Sequence, residues 1–239
     1  MNILEVQNLC KTYGKGEAAV QALRDVTFSV HKGEFVAIVG ESGSGKTTLL
    51  NMIAGAEPAG SGIIRMGPAI RAAYLPQIIH FDHPERSLLD TMLYEKRNIT
   101  PQTARNRLAA YQFQGEDVFK SVSVLSGGEL SRLRLCMLMD EEINFLILDE
   151  PTNHLDIASR EWIEEAVEAF DGTLLFVSHD RYFINRFATR VWELSDGTIN
   201  DYPMGFAQYR AAKAEEKKPA PAPAQKKKQD TRPPRGGRE

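Results

Sequence analysis

The eight residues Gly40-Glu41-Ser42-Gly43-Ser44-Gly45-Lys46-Thr47 constrain the fold of this 239-residue chain more than any other stretch. They satisfy the phosphate-binding pattern G-x-x-x-x-G-K-[ST] at every fixed position. The flanks give the pattern its physical setting. Residues 34–39 are an apolar run of buried-strand type, and residues 48–54 are an apolar-periodic run suited to a helix. Strand, glycine-rich turn and helix in that order aim successive backbone N–H groups and the positive end of the helix dipole at one point, where an anion is stabilised. Gly40, Gly43 and Gly45 let the backbone approach that anion closely and tolerate positive φ. Lys46 is then placed to reach the β- and γ-phosphates of a nucleotide, and the Thr47 hydroxyl to ligate Mg²⁺.

A second run supplies the other half of such a site. Residues 145–148 are uniformly apolar and end in Asp149-Glu150. A buried strand with two acids at its tip serves a phosphate loop in two ways. The first acid holds Mg²⁺, usually through water, and the second polarises the water that attacks the γ-phosphate. Acids at strand ends are often merely solvated, but the run Pro151-Thr152-Asn153-His154-Leu155-Asp156 that follows argues for more. Along the rest of the chain, residues 1–75 alternate strands and glycine turns. Residues 78–124 are polar and helical in pattern, with helices expected at 86–96 and 103–113. Residues 143–210 return to strand–helix alternation, with a helix at 157–170 between two apolar strands. That alternation reads as a mainly parallel sheet with helices on its faces.

The most specific element is Leu125-Ser126-Gly127-Gly128-Glu129, followed by an amphipathic helix start at 130–135. With it, over roughly residues 3–210, the chain resembles the ATP-binding cassette (ABC) ATPases. The resemblance implies an α/β P-loop NTPase fold, with a mainly parallel sheet flanked by helices, a small antiparallel β part and an inserted helical subdomain at about residues 78–140. It implies ATP and Mg²⁺ as ligands. Nucleotide contacts are then expected from Gly40, Glu41, Ser42, Gly43, Ser44, Gly45, Lys46, Thr47 and Thr48. Tyr13 lies where an aromatic stacks on adenine. Ser126, Gly127 and Gly128 match the signature that binds the γ-phosphate held by the other cassette. Gln77, in Tyr74-Leu75-Pro76-Gln77, matches the glutamine that contacts Mg²⁺ beside Thr47 and Asp149. Asp156 belongs to the loop that couples the two sites. His179, in Ser178-His179-Asp180, matches the switch histidine that acts with the catalytic Glu150. His31, His80 and His83 match nothing and receive no role.

Within that family the sequence is a mosaic. Residues 1 to about 62 resemble the ATP-binding subunit of bacterial macrolide- or lipoprotein-type exporters, in Lys11-Thr12-Tyr13-Gly14, the insertion at 15–20 and Gln21-Ala22-Leu23. The remainder resembles the ABC-F proteins, soluble cassettes that act on ribosomes. The features are Glu129 after Ser-Gly-Gly, the run from Asp149 to Asp156, and Ser178-His179-Asp180-Arg181-Tyr182-Phe183-Ile184. Gln77 falls only 31 residues after Lys46, a spacing that sides with ABC-F. Two features depart from that pattern. There is one cassette and no long charged linker, and Met204-Gly205-Phe206 replaces the family's Gly-Asn-Tyr. A single-cassette relative, a recombined gene and the C-terminal half of a longer protein all fit. Three functions stay open: an ATPase acting on translation, an ATP-binding subunit that docks on a membrane permease, and a module that uses ATP only as a dimerisation switch. In each, the resemblance implies a second cassette as an ATP-dependent partner, either a copy of this chain or a paralogue.

Composition bears on the partners. No stretch approaches the roughly 20 apolar residues of a membrane helix, so any span is expected from another chain. Cys10 and Cys136 fit no metal spacing, and with no signal segment they point to a reducing cytoplasm. From residue 211 onward nine basic residues face four acidic ones. That is a charge of +5, which leaves −8 on residues 1–210 of a chain at −3 overall. Residues 219–224 alternate Pro and Ala as a stiff spacer, and lysines and arginines follow without apolar residues larger than alanine. A disordered tail at 211–239 is expected, either contacting RNA phosphates on the ribosome or serving only for solubility.

Overall fold

The computed structural model describes residues 2–216 except Arg97, Asp140, Glu141 and His154. In chain order the elements are β1 (Asn2–Tyr13), β2 (Val20–His31), β3 (Phe35–Val39), α1 (Lys46–Ile53), β4 (Ser61–Met66), β5 (Ala72–Leu75), α2 (Leu88–Glu95), α3 (Pro101–Ala110) and α4 (Gly127–Leu138). They continue as β6 (Phe145–Asp149), α5 (Ile157–Glu168), β7 (Thr173–Val177), α6 (Arg181–Phe187), β8 (Arg190–Ser195), β9 (Thr198–Tyr202) and α7 (Phe206–Glu216).

Strands β3, β6 and β7 are apolar almost throughout, and every residue of β6 and β7 is buried. Strands covered on both faces read this way, and they form the centre of a six-stranded sheet in the order β5-β6-β7-β3-β8-β9. The first five strands are parallel. Strand β9 is antiparallel, joined to β8 by the two-residue turn Asp196-Gly197, in which both residues have positive φ (50° and 76°). Turns of that hand match the twist of a hairpin. A second, antiparallel sheet of order β2-β1-β4 covers one face. Leu4, Val6, Leu9, Leu23 and Val30 pack from it against Leu49 and Leu50 of α1 and Trp192 of β8. The opposite face packs on α5, α6 and α7 through Leu148, Ile163, Phe176, Phe183 and Phe206. Residues 88–137 build a third apolar core of their own, from Leu88, Met92, Leu108, Phe113, Leu133 and Met137.

Side-chain caps set several helix starts. Ser87 accepts from Asp90 N at 3.0 Å at the head of α2. Thr100 caps α3, and Pro101 fills its first turn, so this helix begins before the expected residue 103. It stops at Ala110 because Gln112 takes φ 64°. Two expectations need correction at the C-terminal end. The helix expected to reach 170 ends at Glu168. Residues 211–216 are not part of a disordered tail. They complete α7, which buries Phe206 and Tyr209 and anchors Lys213 Nζ on Glu193 Oε2 of β8 at 2.8 Å. Ala, Glu and Lys are strong helix formers, and here they have a folded surface to dock on. The remainder of the expected tail, 217–239, lies outside the described residues.

Candidate nucleotide site

Parallel order places the C-terminal tips of β5, β6, β7 and β3 along one edge of the sheet, where open α/β sheets bind ligands. Gln77 follows β5, Asp149 ends β6 with Glu150 next to it, His179 follows β7, and the glycine-rich loop follows β3. The sheet therefore collects five of the expected site elements from four separated stretches of sequence.

The loop from Gly40 to Gly45 is wedged between β8 and β2. A Cβ at Gly40 would collide with Leu194 O, and one at Gly45 would come within 2.8 Å of Ala22 O. Gly45 has φ 97° and forms the N-terminal boundary of α1. Only glycine suits that combination of left-handed backbone and missing space. Lys46, the first residue of α1, is buried and turns its ammonium into the loop, 3.0 Å from Gly40 O and 2.7 Å from Glu41 O. Burial pushes its pKa down, and the carboxylates of Glu150 and Asp149 oppose that shift. Thr47 is exposed, as are Ser42 and Gly43, whereas Ser44 and Thr48 are half-buried.

Asp149 is 1% exposed, and neither carboxylate oxygen has a hydrogen-bond partner among the described residues. Burial pushes its carboxyl up, partly offset by the neighbouring Thr47 hydroxyl. The Glu150 charge adds to the rise and Lys46 opposes it. Two unsatisfied, buried carboxylate oxygens beside a hydroxyl suit a hard divalent cation. No cluster of three or more His, Cys, Asp or Glu able to hold a metal exists among the described residues. A cation here would complete its shell with phosphate oxygens and water, as Mg²⁺ does.

Glu150 has the left-handed φ of 50°, which is strained for a residue with a side chain. Its backbone is locked by Glu150 N donating to Val177 O at 2.9 Å and by Asn153 N donating to Glu150 O at 3.0 Å. Its side chain is 8% exposed and accepts from His179 N at 2.9 Å, with His179 Nε2 3.3 Å from Oε1. Gln77 is exposed beyond Pro76 and makes no described polar contact. Tyr13, at the end of β1, places its hydroxyl 3.2 Å from Thr48 Oγ1.

Ser126, Gly127, Gly128 and Asp156 are not at this edge, and no described hydrogen bond or ion pair joins them to residues 40–48. Ser126 heads α4 in a reciprocal cap, with Ser126 N donating to Glu129 Oε2 at 2.8 Å and Glu129 N donating to Ser126 Oγ at 3.3 Å. The cap leaves the Ser126 hydroxyl proton and the N–H groups of Gly127 and Gly128 free of partners within the helix, potential anion donors of which Ser126 and Gly127 are exposed and Gly128 is buried. Gly128 is pressed on Ser159 of α5, where a Cβ would overlap Ser159 Oγ. Asp156 caps the same helix, accepting from Ser159 N at 2.7 Å. Ser159 thus joins the signature turn to the Asn153–Asp156 loop, of which His154 lies outside the described residues. Ser159 was not legible in the sequence, nor were Glu57, which accepts from Tyr13, and Tyr74, whose hydroxyl donates to Asn51 Oδ1 at 2.7 Å. Their partners lie 23 or more residues away, or across a helix contact, and no motif spacing encodes them.

A buried lysine inside a glycine-rich loop, next to an acid-tipped parallel strand, defines a P-loop nucleotide-binding fold. The ABC transporter family model matches residues 23–153, and the chain belongs to that family. The protein YdiF of Bacillus subtilis (strain 168) is 42% identical over 214 residues, covering 90% of this chain and 33% of its own length. The energy-dependent translational throttle protein EttA of Escherichia coli (strain K12) is 36% identical over 219 residues, covering 88% of this chain and 38% of its own. This chain therefore spans little more than a third of the length of these relatives. Among solved structures, the ATP-binding cassette MJ0796, in a dimeric post-hydrolysis state bound to ADP and Pi, has a TM-score of 0.72. It is 24% identical and covers 85% of this chain and 100% of its own, a likeness of fold.

Proposed function

We propose that this chain is the cassette of an Mg²⁺-dependent ATPase that hydrolyses ATP between two cassettes and acts in translation. The observation that carries the reading is a site built in two halves. The loop, Lys46, Asp149 and Glu150 meet at one sheet edge, while the anion donors of Ser126, Gly127 and Gly128 face elsewhere, available to a second cassette. Lys46 and the loop N–H groups hold the phosphates, and the loop packs too tightly on Leu194 and Ala22 to yield. Thr47, Asp149 and Gln77 are the residues that would hold Mg²⁺, which neutralises phosphate charge when bound. Glu150 takes a proton from the attacking water; its strained backbone and the His179 N–H fix its carboxylate for that task. His179 Nε2 lies 3.3 Å from the same carboxylate, placed to contact the γ-phosphate beside it.

A cytosolic role on the ribosome draws on the likeness to EttA, named for translational throttling, and on the basic sequence at 217–239 beside an acidic remainder. No helix among the described residues is long and apolar enough to cross a membrane. The test is Glu150→Gln, which keeps size but removes the base. Turnover should fall by roughly 10² to 10⁴ with ATP affinity retained. The ATP-trapped variant should co-sediment with ribosomes. Turnover near the wild-type rate would refute the role of Glu150. Co-fractionation with membranes instead of ribosomes would replace the translational role by that of a permease-bound subunit.

A further inference from the structure

The best-tied group on the rim of the site is the Tyr13 hydroxyl. Its oxygen lies 2.7 Å from Glu57 Oε1 and 3.2 Å from Thr48 Oγ1. A phenol has one proton, and an ionised carboxylate only accepts. Bonds from Lys11 and then from Tyr13 hold the Glu57 carboxyl below its usual range, so it is ionised at neutral pH. Tyr13 therefore donates to Glu57, and Thr48 donates to Tyr13. The same Glu57 oxygen accepts Lys11 Nζ at 2.7 Å, and that ammonium also donates to Pro58 O at 2.8 Å. Lys11 Nζ stands 5.3 Å from the centre of the Tyr13 ring and covers one of its sides. Glu57 is anchored in turn, its backbone N donating to Asn51 O in α1 at 3.2 Å. The Tyr13 ring is thus tied to both ends of the helix that carries Lys46, through Thr48 in its first turn and Glu57 beyond its last.

Tyr13 is 41% exposed, so packing alone does not fix its ring plane. Stacking is favourable only over a limited range of offsets and tilts. A ring that must be ordered during binding forfeits part of the gain, whereas a ring already held does not. We propose that Glu57 is a positioning residue that fixes the plane of Tyr13 for stacking on the base and, with Thr48, ties that plane to α1. This rests on the reading of Tyr13 as the base platform. Glu57 touches neither the loop nor Asp149, Glu150 or His179 in any described contact. Its loss therefore acts on nucleotide binding, which is common to ground and transition states, and not on the chemical step.

The experiment measures ATP affinity by calorimetry, together with KM and kcat, on the full chain with Mg²⁺. Tyr13→Ala tests the platform, and loss of one base–aromatic stack should weaken ATP binding by about tenfold or more. Glu57→Ala should raise Kd and KM by about threefold to tenfold, the worth of ordering one side chain, with kcat within about twofold. Glu57→Gln keeps an acceptor for the phenol and should recover most of the loss. In a Tyr13→Phe background Glu57→Ala should add almost nothing, because the bond it would break is already gone. Both conservative variants preserve shape and are informative even if Glu57→Ala folds poorly. Wild-type affinity in Glu57→Ala beside a weakened Tyr13→Ala would overturn the positioning role and leave the platform standing. So would a fall in kcat at unchanged KM, or full additivity in the Tyr13→Phe background. Unchanged affinity in Tyr13→Ala would overturn the platform and the positioning role together.

Discussion

Asp149 combines burial and charge, and neither carboxylate oxygen has a described hydrogen-bond partner, a cost that a bound cation would relieve. Its pKa is raised, chiefly by burial. A raised carboxyl stabilises the fold below its unfolded pKa, and that contribution is lost as pH rises through the folded value. At neutral pH the ionised form is therefore a net liability in the nucleotide-free protein. Asp149→Asn removes the buried charge but keeps a buried polar group, so it should keep or raise nucleotide-free stability, by on the order of 1 kcal/mol. That corresponds to roughly 2–4 °C in Tm per kcal/mol for a chain of this size. The same variant should lose the extra stabilisation that Mg²⁺ with ATP gives the wild type. Thermal melts with and without Mg²⁺-ATP check both halves, and a variant that melts well below wild type would mean that Asp149 is structural. Asp149 and Glu150 were legible in the sequence because an apolar strand followed by two acids is a contiguous signal. The left-handed φ of Glu150 was not, since it depends on Val177 O from a neighbouring strand. Nor was the Tyr13–Glu57 contact, which spans 44 residues.

Elements were legible where periodicity was strong and blurred where a contact with another element decided the end. Strands β3, β6 and β7 declare themselves by unbroken apolar runs. The end of α7 does not, because its last turn is polar and alanine-rich, and its reason to fold lies on β8. Glu193 receives Lys213, Tyr209 at 3.0 Å and Tyr202 at 3.3 Å. Burial raises the Glu193 pKa, but these bonds outweigh it and leave the carboxyl below its usual range, while burial and Glu193 push the Tyr209 phenol up to about 12. A depressed carboxyl adds stability above its unfolded pKa, and that stability is lost as pH falls through the folded value. Ending the chain after Arg210 should therefore lower Tm by a few degrees at pH 7, with the deficit shrinking in acid below about pH 4. Ending it after Glu216 should leave Tm unchanged. The second truncation removes eight basic residues. If three to five of them contact RNA phosphates, the salt slope of RNA binding should fall by roughly 2 to 4, at about 0.7 per contact. Equal melting of the two truncations would show that the last turn of α7 adds nothing. Identical salt slopes would make 217–239 a solubility segment.

On the scale of the whole molecule, the proposed function needs two anion-binding faces, one on the sheet and one on the helical part, and no described hydrogen bond or ion pair joins them within one copy. One is the loop with Lys46; the other is the turn at Ser126. A donor set on one surface and its complementary anion site on another make a contact that a twofold axis closes into a dimer with two equal sites. Gly128, wedged on Ser159, and Asp156, capping the same helix, hold the turn at Ser126 and the loop before α5 in one block, so a partner that engaged the first would press on the second. On the proposed function, ATP would supply the charge that joins the faces, and hydrolysis would remove it. Glu150→Gln should therefore be a monomer without nucleotide and a dimer with ATP and Mg²⁺ at micromolar concentration, as read by light scattering. Ser126→Glu in that background puts a carboxylate where the partner's γ-phosphate would sit, and repulsion between the two should keep the protein monomeric. It should still bind ATP with near-unchanged affinity, since Ser126 makes no described contact with its own loop. Dimers that form without ATP, or that survive Ser126→Glu, would mean that copies of this chain associate through some other surface.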